Sequence, residues 1–163
     1  MLEVSKELKK FGKSVVKDAK RNASKFSDTG DLKHSIEFEL ETHKNSFSLS
    51  FYMVDYGIYK DEGVDGTKKK WNSRFSYKRK GPPTRALNDW IRRKAIRGRG
   101  KDGRFITNES LAWLISRKIK RDGLKPTKFF SNAFEKNFIR LSDDIIEAFG
   151  LDVDTFLEQT LNN

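Results

Sequence analysis

Apolar side chains recur every three or four positions from about Leu2 to Phe26, and this pattern predicts an amphipathic helix. Apolar and polar residues then alternate over positions 36–41 and again over 47–53, which predicts the two strands of a hairpin with one buried face. Residues 52–59 fit either a further strand or a short helix. The first part of the chain therefore predicts a long helix packed on a small antiparallel sheet.

The central part of the chain has few apolar residues. Residues 64–83 predict a long loop or an extended β-arm, because loops beyond about 12–15 residues in compact domains are usually functional or disordered. A helix is predicted over 84–96, and a flexible basic loop follows over 97–104. A second helix is predicted over 108–122, where apolar residues again show helical spacing.

A longer amphipathic helix is predicted to begin near 127–131 and to end at Gly150, since glycine disfavours helix interiors. Together these elements predict a long N-terminal helix, a β-hairpin and several further helices. We expect one domain over residues 1–150, with the basic arm and a helical basic insertion at 84–123. A short acidic helix is expected over 151–163.

The net charge of +11 is concentrated in the middle of the sequence. Residues 65–128 hold 21 lysines and arginines against five aspartates and glutamates, and residues 1–64 are balanced. Residues 129–163 carry two basic and seven acidic side chains. Such a basic block attracts phosphates, acidic proteins or anionic surfaces. We also expect the acidic C-terminal part to favour head-to-tail contact with the basic block of a neighbouring copy, an attraction that salt weakens.

Two clusters of basic residues are candidate contacts with DNA or with adjacent subunits. Trp71, Phe75 and Tyr77 are interleaved with the first cluster, and they suit either base stacking or anchoring of the arm on a neighbouring subunit. Trp90 and Trp113 lie among leucines and isoleucines at helical spacing, so we expect them in the core. The candidate contact residues are Lys68, Lys69, Lys70, Arg74, Lys78, Arg79, Lys80, Arg97, Arg99, Lys101 and Arg104.

Candidate catalytic chemistry is sparse. The chain has no cysteine and two histidines, which excludes a cysteine-based zinc site and a multi-histidine metal centre. His34 and His43 have no nucleophile at a recognisable spacing, so we expect them at the surface. One group of carboxylates near the lysine-rich stretch would suit Mg²⁺ in a small nuclease, namely Asp55, Asp61, Glu62 and Asp65. We otherwise expect no enzyme, no cofactor and no metal.

The sequence contains no apolar run approaching the roughly 20 residues of a membrane-spanning helix, and its first ten residues lack the apolar centre of a secretory signal. A membrane is therefore not among the expected partners.

Three short motifs carry a resemblance to a known family. They are Thr29-Gly30-x-Leu32-x-x-Ser35-Ile36, Tyr56-x-x-Tyr59-x-x-Glu62-Gly63 and Pro126-x-x-Phe129-Phe130-x-x-Ala133-Phe134. In this order, with a helix before the first and a hairpin between the first two, the chain resembles the neck or tail-completion proteins of tailed bacteriophages, the small head–tail joining family. The resemblance covers about residues 1–150. The chain departs from the family in the long basic loop over 66–82 and in the acidic C-terminal helix.

The resemblance implies an α+β fold, in which a small antiparallel sheet packs against the long N-terminal helix and further helices follow. It also implies a homo-oligomeric ring, often of six or twelve copies. The ring would lie in the virion between the portal or connector and the tail proteins, after assembly in the host cytoplasm, with basic loops facing DNA in its channel. No catalytic residues come with the family. Positioning roles are implied at the end of the sheet for Tyr56, Tyr59 and Gly63, and in docking the C-terminal helix for Phe129, Phe130 and Phe134.

Two alternatives remain open at this level. The charge of residues 65–128 also fits a stand-alone nucleic-acid-binding protein, and the carboxylates fit the small metal-dependent nuclease.

Overall fold

The computed structural model describes residues 2–26, 29–44 and 46–161. Over these residues the chain is an α+β protein, as the sequence predicts, with a two-stranded antiparallel sheet. Its elements in chain order are α1 (Leu2–Ala23), α2 (Asp31–Ser35), β1 (Glu37–Thr42), β2 (Phe47–Tyr52), α3 (Tyr56–Glu62), α4 (Thr84–Arg93), α5 (Asn108–Asp122) and α6 (Ser131–Leu161).

The chain divides into two compact units. The terminal unit comprises Met1–Gly57 and Lys128–Asn163, and the basic unit comprises Ile58–Thr127. The expectation of one domain over residues 1–150 stays a prediction. The division follows from burial, because α1, the hairpin and α6 share one set of buried side chains, whereas the basic unit buries its own around Val64 and Ile91.

The core of the terminal unit lies where α1, α2 and the start of α6 meet. Ala19 and Ala23 of α1 are fully buried, and their small side chains let Phe129 approach until it is 1% exposed. The Asn22 side-chain amide donates to the Phe129 carbonyl at 3.1 Å, so the backbone before α6 is also bound to α1. Helical spacing in α1 therefore places its apolar stripe against α2 and the start of α6.

The predicted hairpin is confirmed, with Phe38 paired opposite Phe51. The Phe51 ring lies 5.4 Å from Phe130 and 6.3 Å from Phe11, centroid to centroid, so the inner face of the sheet packs between α1 and α6. Gly12 leaves the space that Phe38 occupies, because a Cβ there would lie 2.5 Å from the Phe38 ring. Packing around these rings sets the position of the sheet on α1.

The predicted end of the last helix at Gly150 is wrong, because α6 runs without interruption to Leu161. A separate C-terminal helix over 151–163 is therefore also wrong. A glycine in a helix interior costs only about 1 kcal/mol, which the helical spacing of the apolar residues on either side offsets.

In the basic unit, the segment after α3 is folded onto α5 and is not an extended arm. The backbone N–H groups of Thr67 and Lys68 donate to the carbonyls of Lys120 and Arg121, both at 2.9 Å. The Trp71 indole N–H donates to the Asp122 carbonyl at 2.9 Å. The last carbonyls of a helix have no partners within the helix, and this segment satisfies them.

The Asp65 carboxylate organises the turn that follows. It accepts the backbone N–H of Trp71 at 2.7 Å and that of Ser73 at 3.3 Å. The hydrogen bond from Trp71 is the largest cause of an Asp65 pKa below its ordinary value. Residues 64–83 thus use side-chain and backbone hydrogen bonds where apolar packing is scarce.

Helices α4 and α5 pack on each other in the basic unit. Ile91 and Ala112 are buried between them, but Trp113 is 51% exposed. The expectation of a core position for Trp113 is therefore wrong, because Ala112 occupies the inward face of α5 and its neighbour points outward. Trp90 is half-buried.

We expect Gly63→Ala to destabilise the protein strongly, by at least about 3 kcal/mol. Gly63 has a φ of 75°, and an added Cβ would lie 2.5 Å from the Leu124 carbonyl oxygen. Gly103→Ala is the matched control, because its φ of 78° is similar but no atom lies within 4 Å of the added Cβ. That control should lose about 1 kcal/mol from backbone strain alone. Urea unfolding measures both values, and equal losses would refute the proposed contact with Leu124.

Candidate functional site

The positive charge of the chain coincides with one compact unit. The basic unit holds 21 lysines and arginines against seven aspartates and glutamates, a net charge of +14. The terminal unit holds 13 basic and 16 acidic residues, a net charge of −3. One unit of the chain is therefore strongly basic and the other slightly acidic, and the electrostatic field of the basic unit attracts polyanions.

The lysine-rich turn lies at the C-terminal end of α5. Lys68, Lys69 and Lys70 are all exposed there. The partial negative charge of a helix C-terminus favours cations, so the position stabilises the lysines as well as presenting them. Lys69 Nζ also lies 4.3 Å from the centre of the Trp71 ring. Trp71 thus packs within its own unit, and its indole N–H also donates to the Asp122 carbonyl.

The remaining basic residues of the predicted arm differ in their surroundings. Arg74 is bound within the unit, since its Nε lies 2.7 Å from Glu62 Oε2 and its guanidinium 4.8 Å from the Phe75 ring. Arg74 is exposed as well as paired, whereas Lys78, Arg79 and Lys80 are exposed and form no ion pair within the described part of the chain.

The loop after α4 forms a mixed basic and apolar surface. Phe105 is 59% exposed, and the guanidinium groups of Arg97 and Arg99 lie over its ring at 5.8 and 4.7 Å. We call these three residues the Phe105 patch. Lys101 and Arg104 are exposed beside it, and Arg104 lies 3.9 Å from Asp102. Two flat cations on an exposed ring form an amphipathic surface.

A second basic surface was not predicted from the sequence. Seven residues line an open groove of about 610 Å³ along the C-terminal half of α5, which we call the α5 groove: Thr67, Lys68, Leu114, Arg117, Lys118, Lys120 and Arg121. The sequence signal is the spacing of positions 114, 117, 118 and 121, which places them on one helical face. Lys68 joins these residues only in the tertiary structure, because its backbone N–H donates to the Arg121 carbonyl at the end of α5.

The candidate carboxylates do not converge. Asp65 accepts backbone N–H groups, Glu62 pairs with Arg74, and Asp55 is exposed whereas Asp61 is buried. Within residues 2–26, 29–44 and 46–161 there is no group of three or more histidines, aspartates and glutamates placed to hold a metal ion.

Helix α6 exposes a row of large apolar side chains, which the exposed residue Ser142 interrupts. Ile139 and Ile146 are 75% and 72% exposed, and Val153, seven residues further on, is also exposed. The repeat of seven keeps these side chains on one side of the helix. We call this row the α6 stripe; it consists of Phe138, Ile139, Ile146, Phe149, Val153, Phe156 and Leu157.

Acidic residues run along one flank of the α6 stripe. Helical geometry places Asp143, Glu147 and Asp154 beside Ile146, and all three are exposed. No lysine or arginine occurs between positions 143 and 158. The outer face of α6 is therefore both apolar and acidic.

One carboxylate holds this half of α6 against α1. The two oxygens of Asp152 accept the backbone N–H groups of Glu3 and Val4, each at 3.1 Å. Partial burial of the carboxylate opposes its ionisation, but these bonds at the start of α1 hold the Asp152 pKa at about 2. The position of the α6 stripe thus depends on a charge at a helix N-terminus.

The motif residues lie in different environments. Leu32 and Ile36 are buried in the terminal unit, and Thr29 Oγ1 donates to Asp31 at the start of α2. Gly30 immediately precedes that helix. Tyr56 and Tyr59 lie on α3, not on a strand, and both are exposed.

The third motif crosses from one unit to the next. The residue after Pro126, Thr127, donates to the Lys60 carbonyl at 2.7 Å. Phe129 is buried in the terminal unit, and Phe130 and Phe134 pack against Phe51 at 5.4 and 6.0 Å. These phenylalanines therefore lie in the contact that seats α6.

No family model, no curated protein and no solved structure matches this chain. In the described part of the chain, no helix has the length and apolar character needed to cross a membrane.

We expect Asp152→Asn to lower the melting temperature near neutral pH, because the amide cannot replace a charged, doubly accepting carboxylate. The Asp152 pKa is lowered from 3.8, so its contribution is complete above that pH and is lost as the pH falls through about 2. The difference between wild type and variant should therefore vanish over this acidic range. Thermal unfolding followed by circular dichroism measures this difference in melting temperature at each pH.

The matched control is Asp154→Asn, which removes the same charge from an exposed position on α6. Its melting temperature should stay close to that of the wild type at every pH. A difference for Asp152→Asn that does not depend on pH would contradict the role of the carboxylate.

Proposed function

We propose that the protein is a structural, ring-forming subunit that joins head and tail in the virion of a tailed bacteriophage. The observation that carries the assembly role is the exposed α6 stripe. Monomeric soluble proteins rarely expose apolar patches of more than a few hundred Å², and larger ones mark interaction sites. Seven large side chains in one row form such a patch.

The occupant that fits the α6 stripe best is a second copy of the chain. The stripe is flanked by acidic residues, and the Phe105 patch combines an exposed ring with two arginines. An apolar and acidic surface on one copy is thus complementary to an apolar and basic surface on the next. Two stripes facing each other would bring like charges together.

A contact between two unlike surfaces is heterologous. Each copy then has one surface of each kind still available, so addition continues until rotation closes a ring or a filament grows. The stripe offers such a contact seven large apolar side chains, each between 39% and 75% exposed. These features support a closed assembly of identical subunits.

The virion assignment rests on the three motifs. Leu32, Ile36 and Phe129 are among the most buried residues of the terminal unit, so the motif positions are ones at which the fold demands a particular side chain. The expected neighbours of the ring are portal or connector proteins on one side and tail proteins on the other. Six or twelve copies are the expected numbers.

We expect the wild-type chain to form annular oligomers, visible by negative-stain electron microscopy and measurable by light scattering after gel filtration. The double variant Ile146→Asp/Phe149→Asp should be monomeric at the same concentration. Both side chains are mostly exposed, at 72% and 54%, so the fold should survive. High salt should shift the wild type towards smaller species, because part of the attraction is between charges.

The matched control is Asn132→Asp/Thr155→Asp, which adds the same two charges to exposed positions of α6 outside the stripe. It should assemble like the wild type. A wild type that remains monomeric at all concentrations, or a control that dissociates as fully as the stripe variant, would refute the proposal. A monomer that still binds DNA would favour the stand-alone nucleic-acid-binding alternative.

A further inference from the structure

We propose that the α5 groove binds the phosphodiester backbone of duplex nucleic acid without reading its sequence. This inference goes beyond self-assembly and concerns a surface separate from the α6 stripe and the Phe105 patch. It does not require that a ring forms. It is carried by the charges, the rigidity and the composition of the groove.

The groove is lined by cations and by no carboxylate. The nearest acidic residue, Asp122, is held by Arg121 through two hydrogen bonds of 2.7 and 2.9 Å. Within the described residues, the other four cations of the groove form no ion pair. Phosphate oxygens would therefore meet cations that no protein carboxylate already neutralises.

The two walls of the groove are fixed to each other. The backbone N–H of Lys68 donates to the Arg121 carbonyl at 2.9 Å, and that of Thr67 to the Lys120 carbonyl at 2.9 Å. Arg117 is also held in place, since its guanidinium lies 4.6 Å from the centre of the Trp113 ring. Binding a polyanion to a rigid set of charges requires little ordering of the protein.

The composition of the groove favours nucleic acid over a protein partner. Leu114 is its one apolar lining residue, whereas protein interfaces derive most of their energy from buried aromatic or aliphatic anchors. Contacts to a phosphate backbone need no such anchor and consist of lysines and arginines. Arg117 and Arg121 are separated by about one helical turn, or about 6 Å along the helix axis. This separation is close to the rise of two base pairs of duplex DNA, at about 3.4 Å per base pair.

The test uses the full chain and a short fluorescein-labelled DNA duplex, with binding followed by fluorescence anisotropy across a salt series from about 50 to 200 mM. The variant Arg117→Gln/Lys118→Gln removes two cations from the groove. We expect its affinity at low salt to fall at least about tenfold, and the slope of log affinity against log salt to become shallower by about two.

The matched control is Arg85→Gln/Lys125→Gln, which removes one arginine and one lysine from exposed positions of the same unit outside the groove. It should retain nearly wild-type affinity and slope. Equal losses in the two variants would mean that net charge alone drives binding and would overturn the assignment. Wild-type binding by the groove variant would overturn it as well.

Light scattering on the same samples separates this proposal from the ring. A groove variant that loses DNA binding but keeps the oligomeric state of the wild type supports the proposal, whatever that state is. A groove variant that keeps DNA binding but changes its oligomeric state would overturn it and would identify the groove as a contact between copies.

Discussion

The contact between α1 and α6 decides what the terminal unit can expose. Small residues on α1, such as Ala19 and Ala23, let the start of α6 approach closely, and a cluster of phenylalanines fills the space that remains beside the hairpin. Further along, the Asp152 carboxylate binds the first backbone N–H groups of α1. Since one face of α6 is used in this way, the apolar residues beside that face, such as Ile139 and Ile146, are exposed to solvent.

The basic unit faces a different constraint, because its many like charges repel one another and cannot be buried. It therefore has a small apolar core and depends on hydrogen bonds to irregular backbone. The segment after α3 satisfies the last carbonyls of α5, and the Asp65 carboxylate holds the turn that follows. The lysines of this turn lie at the negative end of a helix, where their charge is favourable. The same arrangement places Lys68 beside the cations of α5.

The α6 stripe, the Phe105 patch and the α5 groove differ in what they offer a partner. The α6 stripe and the Phe105 patch join apolar anchors to opposite charges, and this combination suits contact between protein copies. The α5 groove offers cations with a single apolar residue, which suits a phosphate backbone. The proposed contact between copies uses no residue of the α5 groove.

The sequence by itself determined α1, the hairpin, α4, α5 and the start of α6, since periods of 3.6 and 2 report directly on which face is buried. It left α3 open between strand and helix and did not predict the short helix α2. It also located the basic block over residues 65–128 and the four candidate carboxylates along the chain. Only the tertiary structure decided that Trp113 lies outside the core, that Gly150 does not end α6, and that Lys68 joins Arg117 in one groove. The physical reason is that local periodicity fixes a residue's face on its own element, whereas the neighbour across that face comes from distant parts of the chain.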